Sequence, residues 1–258
     1  MHDARLLQLL DDTADAVRAA LDDDLSRSPG GSRDRGERPG QYRIDLVADD
    51  AALSVLRAAG VGILSEESGL EDPASGLVVV VDPVDGSTNA SRGIPWYATS
   101  LCAVDEHGPR AALVVNLATG TRYQALRGGG ATCDGVPISP SGARTLPEAL
   151  LLLNGYSPSR LGWRQYRSLG ATALDLCSVA DGRVDGSIDW AVDALGPWDY
   201  LGAMLVLSEA GGHLADAFGR DLVVIDHDAR RTPVAAGTAE LFEVLLAERS
   251  AVAGPVSS

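Results

Sequence analysis

The sequence predicts a mixed α/β fold, and two patterns carry that prediction. Residues 96–133 hold apolar runs separated by short Gly-bearing turns, the mark of an antiparallel meander. Beyond residue 148, apolar runs alternate with helical stripes, the mark of layered strands and helices. A chain of 258 residues that is 45% hydrophobic can bury one large core or two modest ones.

The elements follow in order. Leu6, Leu9, Leu10, Ala14, Val17 and Leu21 recur at three-and-four spacing and predict a helix over 4–23. Segment 26–42 is rich in Gly, Pro, Ser and Arg and is expected to be a mobile loop. Ile44–Val47 reads as a short strand, after which Asp49 or Asp50 opens a helix running to Ala59. Val61–Leu64 reads as a strand that ends in Ser65-Glu66-Glu67-Ser68. Residues 77–82 form another, with the β-branched run Val78 to Val81 stopping at Asp82. The meander comprises Trp96–Val104, Ala111–Leu117, Thr121–Leu126 and Ala131–Cys133. Residues 137–147, with Pro137, Pro140 and Pro147, mark a boundary, giving units 1–145 and 146–258. In the second unit Leu150–Leu153, Val184–Asp189, His213–Ala215 and Val223–Ile225 read as strands. Gly170–Ala180, Trp198–Glu209 and Thr238–Glu248 read as helices, the second stopped by Gly211-Gly212.

Composition excludes several functions. Net charge is −15, and all 21 basic residues are Arg. No basic face offers itself to nucleic acid, and the acidity opposes an anionic membrane surface. No apolar run reaches the length of a membrane span. The N-terminus carries acids instead of a long apolar stretch, so no secretory signal is expected. Cys102, Cys133 and Cys177 are isolated, as in the reduced thiols of a cytoplasmic protein, and no Cys/His cluster supports zinc. The absence of Lys excludes Schiff-base and Walker-type lysine chemistry.

The segment Leu77–Ala90, LVVVVDPVDGSTNA, concentrates chemical groups. A buried strand delivers Asp82, Asp85, a glycine turn and the hydroxyls of Ser87 and Thr88 to one point. Paired carboxylates at a strand end are costly unless cations neutralise them. The same residue types also make ordinary turns. Acids recur at other element ends: Asp49 or Asp50, Glu66 and Asp199. An all-oxygen set suits a hard cation, Mg²⁺ above all, with Mn²⁺ acceptable. Such a centre can place a water for attack on phosphorus.

Asp82-Pro83-Val84-Asp85-Gly86-Ser87-Thr88-Asn89 resembles the DP(I/V)DG(T/S)(T/S)N signature of the inositol monophosphatase family. Ser65-Glu66-Glu67-Ser68 is similar to its GEES element, and Trp198-Asp199 with Glu209-Ala210-Gly211-Gly212 to its C-terminal signature. The run from Arg167 to Cys177 and the strand-turn from Tyr123 to Gly135 extend the likeness, which covers residues 44–248. The resemblance implies a layered αβαβα sandwich with a large antiparallel sheet and a second α/β domain. It implies a phosphomonoesterase with two or three Mg²⁺ ions, inhibited by Li⁺ and commonly homodimeric. Glu66, Asp82 and the Val84 carbonyl would hold a first ion; Asp82, Asp85 and Asp199 a second; Glu66 would also touch a third. Ser87, paired with Asp49, would activate the attacking water. Gly86, Ser87, Thr88, Gly170, Ala171, Thr172 and Asp193 would meet the substrate, with Asp189 competing for the place of Asp193. The phosphate would lie against free backbone N–H groups, so Gly at 86 lets the chain approach the anion.

Three departures stand out. Ser65 replaces a glycine, Ser87 replaces a threonine, and the stretch before Asp49 is one or two residues short, so that Asp50 competes for its role. The substrate implied is a small phosphate, inositol monophosphate or a related sugar or cyclitol phosphate first. Histidinol phosphate, fructose 1,6-bisphosphate and 3′-phosphoadenosine nucleotides are alternatives within the family. A haloacid-dehalogenase-type phosphatase fits poorly, because its two acids stand i, i+2 on one strand face, whereas Asp82 and Asp85 stand i, i+3. A non-catalytic regulator that keeps the fold and binds metal is the remaining reading. His213, His227 and Trp198 read as structural.

Overall fold

The computed structural model describes residues 1–27, 34–36, 41–158 and 161–252. Most of the loop expected over 26–42 lies outside the described residues.

Five layers stack as α, β, α, β, α. The first holds α1 (Asp3–Arg27) and α2 (Arg43–Ala59). Their apolar stripes are buried against a sheet of eight strands: β1 (Gly62–Ser65), β2 (Gly69–Glu71), β3 (Val78–Asp85), β4 (Ala98–Asp105), β5 (Gly108–Asn116), β6 (Arg122–Leu126), β7 (Gly130–Cys133) and β8 (Val136–Pro137). Its order is β2-β1-β3-β4-β5-β6-β7-β8, antiparallel except where β1 runs parallel to β3. The central layer holds α4 (Thr172–Ala180) and α5 (Pro197–Ala210); a short α3 (Ser87–Arg92) follows β3. The second sheet comprises β9 (Leu150–Asn154), β10 (Gln165–Arg167), β11 (Gly186–Asp189), β12 (His213–Asp216) and β13 (Pro233–Ala236), in the order β10-β9-β11-β13-β12. Strands β10, β9 and β11 run parallel, and α6 (Ala239–Ala251) covers the outer face.

Strand β3 explains why its sequence is a continuous apolar run. Val79 and Val81 pack with residues of α1 and α2, while Val78 and Val80 pack with residues of α4 and α5. Helices on both faces require apolar residues at every position. The strand therefore reaches the central layer with its polar end, Asp82 to Asp85, buried.

Two sequence expectations are corrected. Ile44–Val47 forms the first turns of α2 instead of a strand, so the helix opens well before Asp49. Asp45 closes that N-terminus by accepting the Tyr42 backbone N–H at 2.7 Å. A four-residue apolar run does not distinguish strand from helix by period alone. Val223–Ile225 is not a strand; the return strand is β13, inserted antiparallel between β11 and β12. Pro233 disguised it, yet a proline at the first residue of a strand removes little from the ladder.

Candidate active site

The i, i+3 spacing of Asp82 and Asp85 would send their side chains to opposite faces of a regular strand. A β-bulge reverses this. Asp82 lies opposite Ser100 and Asp85 opposite Ala98, so β3 spends two residues, Pro83 and Val84, against the single Thr99 of β4. Both carboxylates then face α4 and α5. The Thr99 hydroxyl donates to the Pro83 carbonyl at 2.8 Å, and the Val84 N–H donates to Asp82 Oδ1 at 3.0 Å.

Gly86 turns the chain into α3 with φ 85°, left-handed backbone that favours glycine. A Cβ there would lie 3.0 Å from the Ala171 Cβ and 3.1 Å from the Gly170 and Trp96 carbonyl oxygens. The segments 86–88 and 170–172, both expected to meet substrate, thus lie against each other. Asn89 fastens them: its Nδ2 donates to Trp96 O at 2.8 Å and to Leu169 O at 2.7 Å. The Trp96 indole N–H donates to the buried Asp175 at 2.8 Å. Burial raises the Asp175 pKa to about 7.

Helix termini of the central layer complete the centre. The Ala173 N–H, in the first turn of α4, donates to Asp85 Oδ2. Asp199, in the first turn of α5, accepts the Gly196 N–H at 2.6 Å. Negative charge is favoured at both positions by the helix dipoles. One carboxylate oxygen from each of Asp82, Asp85 and Asp199 lies within 4.8 Å of the others. Glu66, just past β1, shares a hydrogen bond with Asp82.

Four acids so close resist ionisation together. Burial, then the charge of Asp199, raises Glu66 to about 8. Burial raises Asp85 to about 8, partly offset by the N–H groups of Ala173 and Thr172. Burial and neighbouring acids push Asp82 and Asp199 well above the usual carboxylate range. A divalent cation would relieve this repulsion, and an all-oxygen donor set suits a hard one.

Asp49 sits in the second turn of α2, and its two oxygens accept the Ser65 and Ser68 hydroxyls. The structure therefore does not pair it with Ser87. Burial raises its pKa. Asp50 is exposed. The acid of α2 whose charge bears on Glu66 is Asp45, which sequence reading passed over because it placed residues 44–47 in a strand. Asp193 is exposed, left-handed at φ 52°, and ion-paired with Arg220 at 2.6 Å. Asp189 is the acid that acts on Asp199 from β11. It is buried, accepts the Ala191 N–H at 2.9 Å and bonds the Asn154 side chain; its Oδ2 has no partner among the described residues. Burial raises Asp189 to about 7.

Known proteins resemble this chain in sequence and in fold. The sequence profile described as "Inositol monophosphatase family" matches residues 7–253. A fructose-1,6-bisphosphatase/inositol-1-monophosphatase of Methanothermobacter thermautotrophicus is 35% identical over 227 residues, 79% of this chain and 81% of that protein. A Xylella fastidiosa protein named Nus factor SuhB is 30% identical over 200 residues, 71% of each chain. A solved Pyrococcus horikoshii structure, described as having similarities to inositol-1 monophosphatase, superposes with a TM-score of 0.80 at 26% identity, covering 95% of this chain and 96% of that one.

Proposed function

This chain belongs to the inositol monophosphatase family, and from that premise we propose that it is a Mg²⁺-dependent phosphatase of small polyol and sugar phosphates. Inositol monophosphate and fructose 1,6-bisphosphate are the leading substrates, the two named for the Methanothermobacter relative. The observation that carries the reading is the convergence of Asp82, Asp85 and Asp199, from both halves of the chain, with Glu66 bonded to Asp82.

Glu66, Asp82, Asp85, Asp199 and the Val84 carbonyl would hold the ions. Bound Mg²⁺ supplies charge neutralisation for the phosphoryl group and lowers the pKa of water. The protein's part is positioning. Gly86, Ser87 and Thr88 present backbone N–H groups to the phosphate, beside Gly170–Thr172. We assign the orientation of the attacking water to Glu66 with Asp45 and the Ser87 hydroxyl, because both Asp49 oxygens are engaged by Ser65 and Ser68. Asp189, with its unpartnered Oδ2, receives a substrate hydroxyl in place of Asp193. Phosphoryl transfer needs little covalent help from protein groups, so this alignment supplies most of the acceleration.

The test is phosphate release with Mg²⁺ or Mn²⁺ from inositol 1-phosphate, fructose 1,6-bisphosphate, histidinol phosphate and 3′-phosphoadenosine 5′-phosphate. A chain inert on all four is not a phosphatase of this class. The SuhB relative favours a second reading, a regulator that keeps the site. Mn²⁺ binding without turnover would select it. Sedimentation tests the homodimer, and a LiCl dose–response the lithium sensitivity, that family membership suggests.

A further inference from the structure

The segment 222–231, between β12 and β13, touches both Glu66 and the start of α5. His227 Nε2 lies 3.0 Å from the Glu66 carbonyl oxygen, and its ring packs on Trp198 at 4.9 Å between centroids. Trp198 precedes Asp199 in α5. The guanidinium of Arg230 lies over the same indole at 5.0 Å. Its Nη1 donates to the carbonyls of His227 and Ala229 at 2.7 and 2.8 Å. An aromatic face and two carbonyls thus fix this cation beside the acids.

Arg230, like several other arginines of the chain, lacks a carboxylate partner among the described residues. Arg43, Arg57, Arg110, Arg122, Arg127, Arg183 and Arg220 each meet a carboxylate. Arg230 makes no ion pair among the described residues, in a chain of net charge −15. Its Nε and Nη2 make no hydrogen bond there either, and the side chain is only half-buried. Its charge favours the ionised form of Asp199. A guanidinium immobilised through one nitrogen, with planar donors left over, suits bidentate capture of an oxyanion.

We propose that Arg230 is an anion-receiving residue of this site that takes oxygens of a ligand phosphate, while its charge opposes divalent cations when no anion is bound. The proposal rests on the phosphatase reading. It makes two effects of Arg230 opposite in sign: it strengthens phosphate binding and weakens metal binding. A residue that merely braces the fold would strengthen both.

The experiment compares wild type, Arg230→Gln and Arg230→Lys as the full chain, with matched melting curves. Mn²⁺ affinity is measured by calorimetry without substrate. Inorganic phosphate affinity is measured by calorimetry on the Mn²⁺-loaded protein and as product inhibition, and KM is measured for inositol 1-phosphate and fructose 1,6-bisphosphate. Arg230→Gln should bind Mn²⁺ as tightly as wild type or tighter. It should weaken phosphate by about tenfold or more, the scale of a charge-assisted hydrogen bond; Arg230→Lys should recover part of it. A loss seen with inorganic phosphate assigns Arg230 to the transferred group. A loss confined to KM for the bisphosphate assigns it to the second phosphate. Unchanged phosphate affinity and KM in Arg230→Gln, or parallel loss of Mn²⁺ and phosphate affinity, overturns the proposal. If wild type hydrolyses nothing, the phosphatase reading fails, and calorimetry still decides whether Arg230 holds phosphate.

Discussion

The Ala173 N–H and Asp85 Oδ2 meet at 2.7 Å, and this bond joins the end of β3 in the first sheet to the helix that packs on the second. A ligand carried by one half is thus aimed by the other. Beside it, Trp96 bonds Asp175 of the same helix through its indole and Asn89 through its carbonyl. Removing the indole donor should loosen that seam. Trp96→Phe should raise the Mg²⁺ concentration for half-maximal activity several-fold, while Asp175→Asn, which keeps an acceptor, should stay near wild type. A Mg²⁺ titration of initial rates checks this.

Asp82→Asn should separate stability from function. It removes one buried charge from a repelling group, so the metal-free variant should melt no lower than wild type. Activity should fall by about a thousandfold or more, the scale of a lost transition-state charge contact. Calorimetric metal binding and a melting curve on the same preparation test both halves.

The metal-free protein should lose stability as pH rises. Burial raises Glu66 and Asp85 to about 8 in the folded chain, from ordinary values of 4.5 and 3.8, so the native state holds more protons over that interval. Stability is then fully present below about pH 4 for these groups and is lost through about pH 8. Melting after chelation should fall from pH 5 to pH 8.5, and added Mg²⁺ should raise it more at pH 8.5.

Asp45 and Asp49 should fail differently. Asp49→Asn should leave the serine bonds weakened and cost about 1–2 kcal/mol of stability, with activity lowered only through the turn that carries Glu66. Asp45→Asn should lower kcat by about a hundredfold, the lower range for loss of a general acid–base group. Melting and kcat for each variant decide the assignment.

Asp189→Asn should raise KM for polyol phosphates by about tenfold, the scale of one lost hydrogen bond to a charged group. Asp193→Asn breaks an exposed pair with Arg220 and should change stability by less than about 1 kcal/mol, leaving KM unmoved. Steady-state kinetics on one substrate compares the two.

Much of this molecule is written locally. The β-branched run of β3, the stripe of α1 and the turn at Gly86 announce themselves within a few residues, because strand, helix and turn chemistry are short-range. The acids at 66, 82, 85 and 199 are legible for the same reason: each ends or opens an element. What escaped depends on contacts made across the fold. Ile44–Val47 is helical because Asp45 caps it and α1 covers it, so the acid of interest moved from Asp49 to Asp45. Asp189 and Asp193 look alike in sequence, yet in the fold Asp189 ends β11 opposite Asn154 and its charge bears on Asp199, while Asp193 is exposed and paired with Arg220. His227 and Arg230 lie in an irregular segment with no periodicity to read.

The extra residue in β3 lengthens the strand without turning its acids to another face. Removing Pro83 or Val84 alone would flatten the strand yet leave Asp82 and Asp85 on one face as i, i+2 neighbours, so what the bulge adds is one more peptide unit between the two carboxylates. A shortened interval should therefore keep both carboxylates on the central layer and make itself felt through the backbone, in the placing of the Val84 carbonyl.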